Sequence, residues 1–246
     1  MISEKEKIEH SILEIIYGSE EPIGSGLISE RLKALGFHVS EATVGRILRE
    51  YDNIGFTEKV GFKGRVLTKK GFNRLKELDN QTIRKRYGYE LMNLLEVKKK
   101  EELRDILIAR KAIERELARL AAENISPKEI EYLKEIIKLN EEHIKQNKSG
   151  ADEDVKFHKI IAQAAKNKIL KAAIDLIRQD AQLSPVLETI RKNVKGTVIE
   201  DHKKILKALE KRSPEEAEKA MVAHIEGLIK DVEKYWEITH NESHDE

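Results

Sequence analysis

Apolar residues recur at three- and four-residue spacing along nearly all of this chain, and the period changes in one short stretch, residues 56 to 68. Such a pattern allows a mostly helical fold with room for a small hairpin and little else. Composition agrees: 13 Gly, 4 Pro and 5% aromatic residues among 246, with abundant Lys, Glu, Leu, Ile and Ala, favour helix. Zero cysteines exclude disulfides, thiolate metal sites and a cysteine nucleophile. The absence of any run of about eighteen apolar residues excludes a transmembrane helix, so no membrane partner is expected. The start, Met1-Ile2-Ser3-Glu4-Lys5-Glu6, lacks the basic, apolar and small-residue order of an export signal, which predicts a cytoplasmic location.

The first part of the chain reads as a winged helix-turn-helix. Ile8, Ile12, Ile15 and Ile16 share a helix face that ends at Gly18 and Pro22. A second helix from about Ser25 points Leu27, Ile28, Leu32 and Leu35 inward, and Gly36 stops it. Ser40 caps a third helix whose inner face is Val44, Ile47, Leu48 and Tyr51 and whose outer face carries Thr43, Arg46 and Glu50. Phe56 to Val60 and Arg65 to Thr68 then read as short strands joined by Gly61-Phe62-Lys63-Gly64, with Lys63 at the hairpin tip. The third helix of such a module enters the major groove and the wing touches backbone. Net charge is only +1, but residues 31 to 76 hold eleven basic against four acidic side chains, the local excess a polyanion contact needs. A small helical domain that binds another protein through the same face is the competing reading.

From residue 101 the chain is a run of helices separated by clear punctuation: Ser126-Pro127, Ser149-Gly150, Asn167, Ser184-Pro185, Gly196 and Ser213-Pro214. This predicts an all-α bundle of six or seven helices. The expected domains are a winged helix over 1–78, a connector over 79–100 that includes Lys98-Lys99-Lys100, the bundle over 101–238 and a polar tail over 239–246. Asp154 and His158 are four apart on one helix face, a pattern cheap enough that Glu6 and His10 repeat it. Position says more. His202 lies in the stripe Val198, His202, Ile205, Leu209, and His224 in Ala217, Met221, His224, Leu228, Tyr235. A buried imidazole without a partner costs ~1–3 kcal/mol, so three on core faces need partners. One shared metal ion held with Asp154 would satisfy all three; separate hydrogen bonds within the core would do so too. His10, His38, His143, His240 and His244 show no such arrangement.

The residues from 101 to 236 resemble the FCD domain, the metal-binding effector domain of many GntR-type transcriptional regulators. Leu103-Arg104-Asp105-Ile106-Leu107-Ile108-Ala109-Arg110, then Ile113-Glu114 and Leu120-Ala121-Ala122, are similar to the family's opening helix. Asp154-x-x-Phe157-His158, Asn167, Asp201-His202-x-x-Ile205 and Ala223-His224 follow in the family's order. The resemblance implies a divalent transition metal, Zn or Ni before Co, Mn or Fe, on Asp154, His158, His202 and His224. It also implies a small carboxylate effector reaching that metal, with Arg110 beside it and Arg178 as a second candidate.

The N-terminal half departs from the GntR pattern. Where the family's recognition segment reads approximately V-S-R-x-x-V-R-x-x-L, this chain has Val39-Ser40-Glu41-Ala42-Thr43-Val44-Gly45-Arg46-Ile47-Leu48, so two arginines become Glu41 and Gly45. Gly55-Phe56-Thr57 through Gly64-Arg65-Val66-Leu67-Thr68-Lys69-Lys70-Gly71 looks more like the winged helix of archaeal nitrogen-type repressors. Ser40, Thr43, Arg46 and Arg49 are then the groove-contact candidates, with Lys63 and Arg65 on the wing. The expected function is a ligand-responsive regulator that binds double-stranded operator DNA as a homodimer. The rivals are a regulator that senses the metal ion itself and a metal-dependent hydrolase. The second is disfavoured: there is no HExxH, no Gly-rich phosphate loop and no second carboxylate tied by spacing to the histidines.

Overall fold

The computed structural model describes residues 3–96, 99–178, 183–194 and 198–241. The expectations for Lys98, Gly196 and His244, and for the side chains of Val198 and His240, lie outside the described residues. The chain divides into two compact units, Met1–Asn93 and Leu94–Glu246, each built on its own core.

In the first unit α1 (Glu4–Tyr17) opens on a capping box: Ser3 Oγ accepts from the Glu6 amide while the Glu6 carboxylate accepts from the Ser3 amide. After α2 (Ser25–Ala34), Ser40 Oγ accepts from the Thr43 amide and starts α3 (Glu41–Ile54). Gly55 ends α3 at φ +77°, a left-handed position where a side chain would be strained. The strands β1 (Thr57–Val60) and β2 (Gly64–Leu67) pair antiparallel, Thr57 opposite Leu67 and Val60 opposite Gly64, so residues 61 to 63 form the tip. Ile12, Leu13, Ile28, Leu32, Val44 and Leu48 form the fully buried centre, each such side chain contributing about 1.5–3 kcal/mol of transfer free energy. Leu27 and Leu35, expected inward, are exposed. Ile28 and Leu32 already define the inward stripe of α2; Leu27 stands about 100° round the helix from it and Leu35 lies past the last helical residue.

A second difference concerns the connector. The boundary expected at residue 78 falls inside a helix: α4 runs unbroken over Lys69–Leu94, through most of the expected connector. Asp79-Asn80-Gln81 reads as a break, but such residues disfavour helix by only about 0.7 kcal/mol each or less and no proline enforces an end. Ile83, Tyr87, Leu91 and Leu94 continue the helical spacing.

Among the described residues the second unit holds the seven helices α5 (Lys100–Asn124), α6 (Pro127–Lys145), α7 (Ala151–Ala164), α8 (Lys168–Ile177), α9 (Leu183–Val194), α10 (Val198–Glu210) and α11 (Pro214–Asn241). The long helices α5 and α11 pack along each other, α10 and α9 pack on α11, and α7 and α8 pack on α5. A Ser126–Glu129 capping box opens α6 at Pro127, and Asn167 Oδ1 accepts from the Ile169 and Leu170 amides to open α8. The last helix reaches Asn241, into the stretch expected as a polar tail. Thr239 remains helical there, its hydroxyl donating 3.0 Å to the Tyr235 carbonyl. No helix of the described residues is long and apolar enough to cross a membrane.

Candidate functional site

Three helices of the second unit bring Asp154, His158, His202 and His224 together. Asp154 and His158 lie one turn apart on α7, His202 comes from the apolar stripe of α10 and His224 from that of α11. Each offers one ligand atom, and these four atoms all lie within 4.8 Å of one another. The Nε2 atoms of His158 and His202 converge on a single oxygen, Asp154 Oδ1, at 3.6 and 3.4 Å. The imidazole centroids are 5.0–5.4 Å apart, and Phe157 stacks on His202 at 4.1 Å and fixes its plane.

All three histidines are buried, and the Nε2 atom of each lacks a hydrogen-bond partner. The core alternative gave each histidine its own hydrogen bonds; His158 Nδ1 does meet Glu114 in a close pair, which leaves the Nε2 atoms without one. Donors bound at ~2.1 Å to one ion stand ~3–4 Å apart, the separation seen around Asp154 Oδ1, so the residues fit a divalent metal ion. Burial pushes the pKa of His202 down and that of His224 down to about 3, which keeps these imidazoles neutral and able to ligate. His224 Nδ1 faces Asp201 Oδ2 at 3.7 Å, and Arg191 Nη2 reaches the same oxygen at 3.6 Å while its Nε lies 3.0 Å from Asp231. The carboxylate of Asp201 therefore stands beside His224 Nδ1, placed to orient the ring of a metal-bound imidazole.

A buried ionic network surrounds the cluster. Arg110 Nε donates 2.7 Å to Glu114, both at 3% exposure or less, and Glu114 also meets Arg178 Nη1 at 3.1 Å and His158 Nδ1 in a close pair. Arg178 Nη2 donates 2.7 Å to Asp154 Oδ2. Burial would raise the carboxyl pKa values of Glu114 and Asp154, yet the facing side chains hold both well below the usual range: Arg110, His158 and Arg178 around Glu114, and Arg178, His158 and His202 around Asp154. Sequence reasoning missed Glu114, Asp201 and Arg191 as parts of the site. A signal existed for Glu114: the stripe Leu103, Leu107, Arg110, Glu114, Leu117, Ala121 carries an opposite-charge pair in apolar positions.

Two cavities adjoin the cluster. The larger, about 430 Å³, is lined by His158, Glu114 and Arg178 beside Leu117, Ile161 and Met221. A smaller one, about 50 Å³, is lined by Arg110, Asp154, His224, Arg191 and Asn140, and Arg110 Nη2, Arg191 Nη1 and Asn140 Oδ1 are buried there without hydrogen-bond partners. The two arginine candidates thus border different spaces.

In the first unit Ser40, Arg46 and Arg49 are exposed and Thr43 is half-buried. Ser40 and Thr43 are joined by a 2.9 Å hydroxyl contact, and Arg46 pairs loosely with Glu50 at 3.3 Å. Lys63 is exposed at the hairpin tip as expected. Arg65, expected as a second wing cation, is only 14% exposed and is turned onto Asp52 of α3. The reason is local: Asp52 also accepts the Thr57 hydroxyl at 2.6 Å, and the buried end of the hairpin needs Arg65 as its counter-charge.

Comparison with known proteins follows the same two-part division. The FCD domain family matches residues 105–227, half of the chain, and the Ribonuclease R winged-helix domain family matches residues 10–75. The global nitrogen regulator NrpR of Methanocaldococcus jannaschii is 38% identical over 85 residues, which cover 35% of this chain and 15% of that protein. The Uxu operon regulator of Haemophilus influenzae is 31% identical over 129 residues, 50% of this chain and 48% of its own. The HTH-type transcriptional regulator LutR of Bacillus subtilis is 24% identical over 233 residues, 91% of this chain and 98% of its own. The chain therefore spans about half or less of the first two relatives, each of which is named as a regulator. By the match over half of its length, the chain belongs to the FCD domain family.

Proposed function

We infer that the protein is a ligand-responsive DNA-binding regulator whose helical domain holds a divalent transition metal ion and, against it, a small carboxylate effector. The observation that carries this reading is the set of three buried histidines, each with an unpartnered Nε2, whose ligand atoms lie with that of Asp154 within 4.8 Å of one another. Asp154, His158, His202 and His224 would hold the ion, Zn or Ni by donor type. Bound there, it would supply positive charge for an anion. The protein's own charges favour that: Arg110 and Arg178 balance Glu114 and Asp154, and Arg191 offsets one of Asp201 and Asp231, so a divalent cation beside the neutral imidazoles of His202 and His224 would leave net positive charge in a low-dielectric interior. The larger cavity has the size of a small-molecule site and presents Arg178, whereas Arg110 and Arg191 offer unpartnered nitrogens to the smaller one.

DNA is read by the first unit, with Ser40, Thr43, Arg46 and Arg49 on α3 toward the major groove and Lys63 on the wing at backbone. Two copies binding a two-fold operator match the symmetry of duplex sites. A 100-fold effector response requires a coupling of about 2.7 kcal/mol, within the ordinary allosteric range. The test is binding of the full chain to duplexes it enriches from a random pool, with and without zinc or nickel and a panel of small organic acids. A shift in affinity that needs both metal and acid supports the reading. A response to metal alone, whatever acid is present, identifies the ion as the signal; no enriched duplex removes the DNA-binding reading.

A further inference from the structure

The tip of the β1–β2 hairpin carries Phe62 at 105% relative exposure, the most exposed large apolar side chain among the described residues. A single exposed apolar residue is ordinary on a protein surface, so exposure alone assigns nothing. The way this one is mounted does. Gly64 sits at φ +136°, and a Cβ there would stand 2.4 Å from the Ile23 carbonyl carbon, so the strand presses directly on the segment before α2. Ile23 and Arg65 exchange backbone hydrogen bonds of 3.0 and 2.9 Å. Asp52 near the end of α3 holds both strands, accepting from Thr57 on β1 and from Arg65 on β2. The hairpin is thus clamped to the helix expected in the major groove, and its three-residue tip projects Phe62 and Lys63 from a rigid base.

The charge around the tip selects the partner. Lys63 is exposed next to Phe62 at the tip, and on β1 exposed Lys59 stands beside exposed Glu58, within the segment that carries the chain's local basic excess. A convex tip with one aromatic point beside a cation fits a groove in a polyanion, and it lacks the concave wall that a docked peptide needs. We propose that Phe62 is an apolar wedge that enters the minor groove beside the α3 site and unstacks one base step, while Lys63 contacts phosphate. The Asp52–Arg65–Thr57 clamp sets its reach, which also accounts for Arg65 lying inward. This proposal rests on the DNA-binding reading of the first unit.

The experiment uses the full chain and duplexes enriched by the wild type from a random 30-base-pair pool, with 2-aminopurine placed at successive steps. The wild type should raise 2-aminopurine fluorescence at one step flanking the α3 footprint. Phe62→Ala, which removes no packing, should lose that signal and bind ~10-fold or more weakly, with the salt dependence of affinity unchanged. Lys63→Ala should keep the signal and lower the salt slope by about one. Full fluorescence and affinity in Phe62→Ala, with wild-type binding intact, would overturn the wedge and leave the DNA reading standing. A changed sedimentation of the free Phe62→Ala chain with unaltered DNA binding would make the tip a protein contact and also overturn it. A wild type that enriches no duplex removes both readings together.

Discussion

The two units place their polar side chains in opposite ways. In the helical unit Arg110, Glu114, His158, Arg191, His202 and His224 are buried, Glu114 holding Arg110 and His158 and Phe157 stacking on His202, so much of the site is organised before any ligand arrives. In the winged unit Arg46, Arg49 and Lys63 stand in water, and their positions rest on caps and on the Asp52 clamp behind them. A buried polar cluster declares its chemistry through groups that must find partners. An exposed cation declares only a sign of charge, and its role is set by what binds it.

The largest expected difference between the units follows from that contrast. Replacing Glu114 by Gln leaves Arg110 and Arg178 short of a buried counter-charge and should cost about 3–5 kcal/mol, read as a lower denaturant midpoint for the helical unit. Little or no loss would mean that water reaches the network and that the site is not locked. Asp201→Asn should weaken metal binding ~10–100-fold with the fold intact, because it removes the carboxylate placed to orient His224; unchanged affinity by competition titration would make Asp201 a bystander.

Acid should act on the same unit. In the metal-free protein the folded pKa values of His202 and His224 lie below their ordinary value, His224 at about 3, so the unfolded chain binds more protons between about pH 3 and 6.5. Stability therefore rises with pH across that window and is lost as pH falls through it. The lowered pKa values of Glu114 and Asp154 add a loss of the same sign at the acid end. Thermal melts of metal-free protein should show this, and His202→Ala and His224→Ala should flatten it; an identical slope in those variants would locate the protons elsewhere.

Much of this was legible in the sequence, and the contrast between the units explains which part. Helical spacing and punctuation such as Ser126-Pro127 and Asn167 gave six or seven helices where the described residues of the second unit form seven, and the stripes of α10 and α11 carried His202 and His224 to the centre. A polar residue at an apolar period is visible without a structure. The unbroken α4 was not visible, because Asp79-Asn80-Gln81 is a weak local bias that the continuing helix overrides. Nor was the inward turn of Arg65, since its partner Asp52 is thirteen residues away and only the folded hairpin brings them together. The Glu114 contact with His158 on another helix is hidden for the same reason.

The smallest expected effect on stability is in the winged unit. Arg46→Ala removes an exposed 3.3 Å pair with Glu50 and should change stability by less than about 0.5 kcal/mol, yet weaken duplex binding. A large loss of stability would show that α3 depends on its outer face and would blur the distinction between the units.

The account turns on one claim, that Asp154, His158, His202 and His224 form a single metal site. The direct measurement is titration of the dialysed, metal-free full chain with zinc and with nickel, beside His202→Ala and His224→Ala variants whose folding is verified by circular dichroism. The account predicts saturable uptake of one ion per chain in the wild type and its loss in both variants. No saturable uptake by the folded wild type, or equal uptake by the folded variants, would contradict it.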